Sequence, residues 1–124
     1  MPDILYKDEA YKISGICMEV HNHLGPGLLE IIYKEAIEWE LNERFIQYER
    51  EKEYPVYYKG ILLRKKFNVD FILYDSIILE VKARAMIVND DIAQVLNYLK
   101  LSGCKLGVIV NFGRQKLEIK RLVN

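Results

Sequence analysis

The sequence predicts a mixed protein of the α/β or α+β class, in which one mixed β-sheet is flanked by helices. Two segments with apolar residues at three- and four-residue spacing, 6–24 and 28–42, precede a region rich in β-branched and aromatic residues, 45–82. A helical pattern over 90–102 then leads to a continuous apolar run, 106–112. Because a strand, a helix and a buried strand in succession make a right-handed crossover, we expect this run to lie beside the strand that precedes the helix.

The two N-terminal segments are predicted to be amphipathic helices separated by a break. Gly25, Pro26 and Gly27 end the first helix, because glycine caps helices and proline cannot continue one. Glu30 falls in the first turn of the second helix, where the helix dipole favours a carboxylate, so the pattern alone gives it a stabilising role. The positions expected to be buried are Ala10, Ile13, Cys17, Val20 and Leu24, then Leu29, Ile32, Tyr33, Ala36, Ile37 and Leu41. Those expected to face outward are Lys34, Glu35, Glu38 and Glu43.

The other elements follow from similar patterns. Aromatic and β-branched residues in 45–63 predict one or two strands that lead into the centre of the sheet. Asparagine and aspartate supply a cap and first-turn acids for the helix over 90–102, whose Gln94 and Tyr98 could reach one site together. Residues 116–122 are predicted to form the last strand. The buried stripe expected for the third helix is Ile92, Val95, Leu96 and Leu99.

The segment 68–82 is predicted to form a β-hairpin, with a tight turn at residues 74–76. If the middle residue of this turn is its centre, antiparallel pairing sets Asp70 opposite Glu80, with Lys82 one step further along the same face. The side chains expected on the face of the acids also include Ile72, Tyr74 and Ile78. The side chains expected to point the other way, into a core, are Val69, Phe71, Leu73, Leu79 and Val81.

Two carboxylates and an amine then converge on one face of the hairpin. Like charges directly opposite each other destabilise a sheet by roughly 0.2–1 kcal/mol, so a compensating charge is expected. Mg²⁺ is typically held by one or two carboxylates plus phosphate oxygens, and the ammonium of Lys82 could stabilise a charged phosphate. A slip of one residue would instead send Asp70 and Glu80 to opposite faces, and Glu80 could simply be exposed on a half-buried strand. The hairpin alone leaves both interpretations open.

Length and composition fit one globular domain. The chain has 124 residues, of which 51% are hydrophobic and 29% charged, enough to bury a core. It contains no apolar run of about 18 residues and no signal-peptide pattern, so we expect a cytoplasmic protein without a membrane partner. Cys17 and Cys104 lack C-x-x-C spacing and are expected to be reduced and buried.

The charge is unevenly spread, although the formal net charge is zero. Residues 1–62 contain 7 Lys and Arg against 12 Asp and Glu, whereas residues 63–124 contain 11 against 6. A phosphate contact must therefore come from a local patch, and each patch by itself fits a solvated surface. The tyrosines of the predicted strands could stack on bases, but their strand propensity favours the plainer interpretation. The basic patches are Arg64-Lys65-Lys66, Lys82-Ala83-Arg84 and Lys120-Arg121.

The second predicted helix carries a G-x-x-E-x-x-Y motif formed by Gly27, Glu30 and Tyr33. With this motif the chain resembles the family of small proteins named GxxExxY, within the PD-(D/E)XK nuclease-like superfamily. The resemblance covers nearly the whole chain in the expected order, and it implies that residues 1–124 are a single domain of this kind. The other matching stretches are Val20-His21, Leu24-Gly25-Pro26, Asp70, Glu80 to Ala83, Gln94, Asn97 to Lys100, Gly107, Asn111 to Gly113 and Lys120-Arg121.

The resemblance implies a restriction-endonuclease-like core with its site on the central hairpin. By position, Asp70 and Glu80 would bind Mg²⁺ or Mn²⁺, and Glu30 would add a ligand or orient water. Lys82 would be the catalytic lysine. Gln94 would line the site together with a tyrosine one turn later, as in relatives of the RecB-type exonucleases. The residues implied to be catalytic are therefore Glu30, Asp70, Glu80, Lys82, Gln94 and Tyr98, whereas His21 receives no role.

Two departures from the family pattern are visible. The strand before the first acid reads Asn68-Val69-Asp70 rather than Pro-Asp, which the superfamily tolerates widely. Where many members carry histidine ahead of the glutamine, this chain has Asn89-Asp90-Asp91. The extra acids could hinder a phosphate or help to hold the ion.

Three functions are compatible with these expectations. The first is a metal-dependent phosphodiesterase, a nuclease acting on nucleic acid, with DNA preferred to RNA as the expected substrate. The second is a non-catalytic module that keeps the fold and binds nucleic acid or protein; a second copy of the chain or a partner protein could complete its groove. The third is a hydrolase of small molecules that uses the same ion.

Overall fold

A computed structural model describes residues 5–124, so residues 1–4 of the predicted domain lie outside the description. A five-stranded mixed sheet has the order β1-β4-β5-β6-β7, with β5 and β6 parallel and the other pairs antiparallel; β2 and β3 pair separately. The elements in chain order are α1 (Lys7–Leu24), α2 (Glu30–Glu43), β1 (Tyr48–Tyr54), β2 (Tyr57–Tyr58), β3 (Ile61–Leu62), β4 (Phe67–Leu73), β5 (Ile77–Lys82), α3 (Asn89–Ser102), β6 (Leu106–Asn111) and β7 (Glu118–Val123).

The sheet separates two apolar cores. Helices α1 and α2 pack on one face, and α3 packs on the other. Strand β6 is buried along its whole length, which explains the continuous apolar run at 106–112. The parallel pairing of Glu80 with Ile109 confirms the predicted crossover. Cys17 and Cys104 are free and buried, as expected.

The three long helices are confirmed, with differences at their margins. Leu29, expected in the core, is 74% exposed because α2 begins only at Glu30 and Leu29 is its N-cap. Ile32 and Leu96 are also exposed, since each lies one position away from the residues that face the sheet. Leu24, at the last position of α1, is exposed as well. None of the helices within residues 5–124 is long and apolar enough to cross a membrane.

The central hairpin forms in the predicted register. Phe71 pairs with Leu79, and the turn contains Tyr74 and Asp75, both with positive φ. Such a turn matches the right-handed twist of the two strands that it joins. The pairing continues toward Asp70 opposite Glu80, although the ladder of paired residues ends one step before them.

The alternation of side chains is broken near the first acid. Val69 packs in the α3 core, whereas Phe71 packs in the core under α1 and α2, so the prediction that both share one face is wrong. Glu51 on β1, which lies between the partners of Val69 and Phe71, has a positive φ of 54°. The side chains of β1 and β4 change face at the same point, so the pairing of the two strands continues in the same register. Asp70 lies at this point and contacts Lys34 of α2.

The chain that leaves β5 is held by a buried asparagine. Asn111 accepts hydrogen bonds from the backbone N–H groups of Arg84 and Gly113 at 3.0 and 3.1 Å. Its amide nitrogen donates to the carbonyl of Arg84 and to Glu118, both at 3.0 Å. A side chain with every polar atom satisfied in the core fixes the segment that follows Lys82.

Gly113→Ala should destabilise the protein, because the new Cβ would lie 2.1 Å from the carbonyl oxygen of Arg84. A backbone group cannot move aside as a flexible side chain can, so we expect a loss of roughly 1–3 kcal/mol in the free energy of unfolding. Gly15→Ala is the matched control, since nothing lies near its Cβ, and the exposed helix position should gain about 0.5–1 kcal/mol. Equal effects in denaturant titrations would contradict the close contact.

Candidate active site

Asp70 and Glu80 meet where the ladder between β4 and β5 ends. The backbone N–H of Asp70 donates to Oε2 of Glu80 at 2.6 Å, and the N–H of Val81 donates to Oδ2 of Asp70 at 2.8 Å. Each carboxylate thus occupies the place of a backbone acceptor on the opposite strand. This exchange fixes both acids relative to the sheet, and it gives the predicted juxtaposition of Asp70 and Glu80 a definite geometry.

Glu80 is only 4% exposed, which excludes the alternative of a solvated residue on a half-buried strand. Burial is the largest cause that raises the pKa of this carboxyl, to about 9, and the negative charge of Asp70 acts in the same direction. The hydrogen bond from the backbone of Asp70 and the charge of Lys82 oppose the shift only in part. Burial and the neighbouring carboxylate of Asp70 therefore favour the protonated form of Glu80.

Lys82 does not point its ammonium at the two acids as predicted, but at α3. Its Nζ donates to Oε1 of Gln94 at 3.1 Å and lies 3.7 Å from Oδ1 of Asp91. Asp91 is buried, accepts the N–H of Val88 and lies 3.0 Å from the guanidinium of Arg84. The extra acid that departs from the family pattern is thus paired with two cations.

Tyr98 lies one turn after Gln94 on α3, close to the acids. Burial is the main cause that raises its pKa, and the negative charges of Glu80 and Asp70 add to the shift. Its ring stacks on Phe67 of β4, with the ring centroids 4.9 Å apart. Gln94 thus contacts Lys82, and Tyr98 lies where the charges of Glu80 and Asp70 act on it.

Glu30 and Asp70 both lie near the ammonium of Lys34. The Nζ of Lys34 lies 2.8 Å from Oδ1 of Asp70, 3.1 Å from Glu51 and 3.9 Å from Glu30. The prediction that Lys34 faces outward is wrong, since its side chain is only 12% exposed. Its position one turn after Glu30 on the same helix face was the signal that could have revealed it.

The pKa values of Lys34 and Glu30 are shifted by the charges around them. Burial alone would lower the pKa of Lys34, but its hydrogen bonds and charge interactions with Asp70 and Glu51 outweigh burial and raise it. Burial raises the pKa of Glu30, Asp70 adds to the shift, and the cations Lys34, Lys82 and Arg84 oppose it. Glu30 thus senses the same charges as the two central acids.

Tyr33 explains why the segment before Glu30 has a fixed shape. Its hydroxyl donates to the carbonyl of Gly25 at 2.6 Å and accepts the N–H of Leu28 at 3.1 Å. Its ring stacks on Phe112 at 4.4 Å. His21, which received no role from the sequence, is buried and lies 2.8 Å from the carbonyl of Arg114. These side chains tie α1 and α2 to the end of β6.

Asp70 and Glu80 are two adjacent carboxyl groups. Mg²⁺ is often held by one or two protein carboxylates. Within residues 5–124, no group of three or more His, Cys, Asp or Glu side chains is arranged to hold a metal ion. Asp70 and Glu80 are therefore two candidate ligands, and Glu30 interacts with Asp70 through its charge and through their shared contact with Lys34.

A mixed sheet with two acids on its central hairpin and helices on both faces defines a restriction-endonuclease-like fold. The fold is similar to the crystal structure of SSO0001, with a TM-score of 0.62 over 96% of this chain at 19% sequence identity. The chain spans 59% of that protein, and at this identity the likeness concerns the fold alone.

Sequence comparison then gives the family. A profile of the PD-(D/E)XK nuclease superfamily matches residues 7–122, and the chain belongs to that superfamily. Nucleases of this superfamily generally use divalent metal ions. No match was found among curated proteins.

In wild type, the ionisation of Glu80 should lower the free energy of unfolding as the pH rises, and Glu80→Gln should remove this decrease. The pKa of Glu80 is raised above its ordinary value of 4.5, so the folded protein retains a proton that the unfolded chain releases. The stability that this proton contributes is complete below the unfolded pKa and is lost as the pH rises toward the folded value of about 9. Glutamine does not ionise, yet its oxygen can still accept the N–H of Asp70.

Between about pH 5 and about pH 8 we therefore expect wild type to lose on the order of 1–3 kcal/mol relative to Glu80→Gln. Denaturant unfolding in EDTA at several pH values measures this difference. A difference that stays constant with pH would contradict the raised pKa.

Tyr33→Phe should cost about 1–2 kcal/mol, because the carbonyl of Gly25 and the N–H of Leu28 lose their shared partner. Tyr11→Phe is the control, since that tyrosine is exposed and its loss should change stability by less than about 0.5 kcal/mol. Thermal unfolding of both variants gives the comparison. If the two changes were equal, the hydroxyl of Tyr33 would not hold this segment.

Proposed function

We propose that the protein is a divalent-metal-dependent nuclease that hydrolyses phosphodiester bonds in nucleic acid. The observation that carries this proposal is the buried carboxyl of Glu80 beside Asp70 at the end of the β4–β5 ladder. A buried acid next to a second acid is costly unless something compensates for it, and such arrangements concentrate at functional sites. Membership of a nuclease superfamily supports the same reaction class.

Asp70 and Glu80 would hold Mg²⁺ or Mn²⁺, with Glu30 as a further ligand or a residue that orients water. The bound ion would supply positive charge to a phosphate and make a water molecule more acidic. Lys82, held by Gln94 and Asp91, would provide a fixed ammonium that stabilises charge developing on the phosphate.

Residues around these groups would shape the site. Lys34 would position Asp70 through their contact at 2.8 Å. Gln94 would orient Lys82, and the hydroxyl of Tyr98 would lie beside the acids, able to meet a water molecule or a phosphate oxygen. Because Asp70 and Lys82 are each held by a neighbouring side chain, their charges would stay in place while a phosphate reacts.

We also propose that the chain belongs to the GxxExxY subgroup and that residues 1–124 form a single domain of this type. The contacts of Tyr33 support the subgroup, because its hydroxyl shapes the loop that carries Gly27 and leads to Glu30. The profile match over nearly the whole chain supports the single domain. DNA is the proposed substrate rather than RNA, and the cytoplasm the proposed location.

A second candidate function is a non-catalytic module that binds nucleic acid or protein. The ion pair between Lys34 and Asp70 favours it, because this ammonium already compensates one of the two acids. Such a module would keep the fold and bind its partner without cleavage.

Asp70→Asn and Lys82→Gln should each lower metal-dependent cleavage by about 10²-fold or more, since each removes a charge that acts on the reacting phosphate. The assay uses labelled single- and double-stranded DNA and RNA in Mg²⁺ or Mn²⁺. Lys100→Gln is the control, because this lysine lies exposed on α3. Circular dichroism verifies the fold of every variant.

Calorimetry of metal binding separates the two candidate functions. The nuclease requires binding of Mg²⁺ or Mn²⁺ that Asp70→Asn and Glu80→Gln weaken. A wild type that neither cleaves nor binds either ion, yet still binds nucleic acid, would overturn the nuclease in favour of the binding module.

A further inference from the structure

The connection between β1 and β4 is a formed hairpin that stands apart from the five-stranded sheet. Tyr54 and Phe67, which flank it, are directly paired, so residues 55–66 extend the β1–β4 ribbon beyond the sheet. Within it β2 and β3 pair with each other around Lys59 and Gly60, which both have positive φ. We call residues 55–66 the arm.

The apolar side chains of the arm are not used for packing. Tyr57, Tyr58, Ile61 and Leu62 are 53–64% exposed, and Val56 is the only residue of the arm that is not exposed. Each tyrosine stands opposite an aliphatic residue, Tyr57 opposite Leu62 and Tyr58 opposite Ile61, an arrangement that orients the rings. Because successive side chains of a strand point to opposite faces, each face of this ribbon carries one exposed pair of a tyrosine and an aliphatic residue. Exposed apolar side chains grouped in this way fit a binding surface.

The charge of the arm has one sign. It contains Lys59, Arg64, Lys65 and Lys66 and no acidic residue, whereas β1 immediately before it carries Glu49, Glu51 and Glu53. Lys66 lies 3.4 Å from Glu53. Within residues 5–124, the other three basic side chains of the arm form no salt bridge. The ammonium of Lys59 lies over the ring of Tyr58, 5.4 Å from its centroid. Aromatic rings beside basic side chains fit the bases and phosphates of a nucleic-acid strand.

The arm leaves the sheet at the edge of the candidate site. Its flanking residues Tyr54 and Phe67 stack with centroids 5.3 Å apart, and Phe67 stacks in turn on Tyr98 at 4.9 Å. Phe67 also precedes Asp70 by three positions on the same strand, which corresponds to roughly 10 Å. A nucleic-acid strand bound to the arm would therefore continue toward Asp70 and Glu80.

We infer that the arm binds single-stranded nucleic acid and guides it to the site, with its basic side chains on phosphates and Tyr57 and Tyr58 stacked on bases. This inference rests on the proposed nuclease function for what happens to the strand afterwards. The binding itself requires neither metal nor cleavage. Stacking needs unpaired bases, so the arm selects single strands over duplex.

The test measures binding of labelled single-stranded oligonucleotides to the full chain by fluorescence anisotropy in EDTA, at several salt concentrations. The combined variant Lys59→Ala, Arg64→Ala, Lys65→Ala should raise Kd at least about tenfold and reduce the slope of log K against log salt by about 2. The control Lys100→Ala, Lys105→Ala, Lys120→Ala removes the same charge from exposed positions outside the arm and should leave Kd within about twofold.

Tyr57→Ala combined with Tyr58→Ala tests the stacking separately. We expect Kd for single strands to rise about tenfold or more while the salt slope stays unchanged, because no phosphate contact is lost. Binding to blunt duplex should be weaker in wild type and insensitive to this change. Equal binding of duplex and single strand, or no effect of the tyrosine variant, would overturn the stacking.

The outcomes also separate this inference from the nuclease proposal. A wild type that binds no single strand at low salt, or arm variants that bind like the control, would overturn the role of the arm even if the protein cleaves. Arm variants that only abolish self-association in light scattering would show an interface between copies instead. Tight binding through the arm without cleavage in Mg²⁺ or Mn²⁺ would sink the nuclease proposal and leave the arm intact.

Discussion

The hydrogen bond from the backbone of Asp70 to Glu80 is the interaction on which the rest of the site depends. It ends the ladder between β4 and β5 and places a carboxylate where a backbone acceptor would otherwise be. Because β5 lies inside the sheet, this carboxylate is buried, and the second acid beside it disfavours its ionised form. Burial and the charge of Asp70 raise the pKa of Glu80, whereas this hydrogen bond acts in the opposite direction.

The two nearby lysines make different contacts around the two acids. Lys34 approaches Asp70 from α2, whereas Lys82 turns to Gln94 and Asp91 on α3. One acid therefore has a protein counter-charge within contact distance, while Glu80 has backbone and more distant charges only.

Side chains without reactive groups hold the segments that carry the candidate site. Tyr33 and Phe112 stack between α2 and the end of β6, and the hydroxyl of Tyr33 fixes the loop ahead of Glu30. Asn111 performs a similar task for the segment after Lys82 through its contacts with Arg84. A buried polar side chain with satisfied hydrogen bonds specifies one backbone conformation, and this precision suits a site built on electrostatics.

The sequence by itself determined the three long helices and the central hairpin with its turn, whereas the structure decided the register that sets Asp70 beside Glu80. The helices follow from the periodic spacing of apolar residues. The hairpin follows from its turn residues, which make the two strands pair antiparallel. Only the tertiary structure decided that Val69 changes face, that Lys34 is directed inward and that Lys82 turns to α3. Those outcomes depend on which charges and surfaces meet across elements distant in the chain. For Lys34, its spacing from Glu30 gave a local signal, but the contact with Asp70 comes from the tertiary structure.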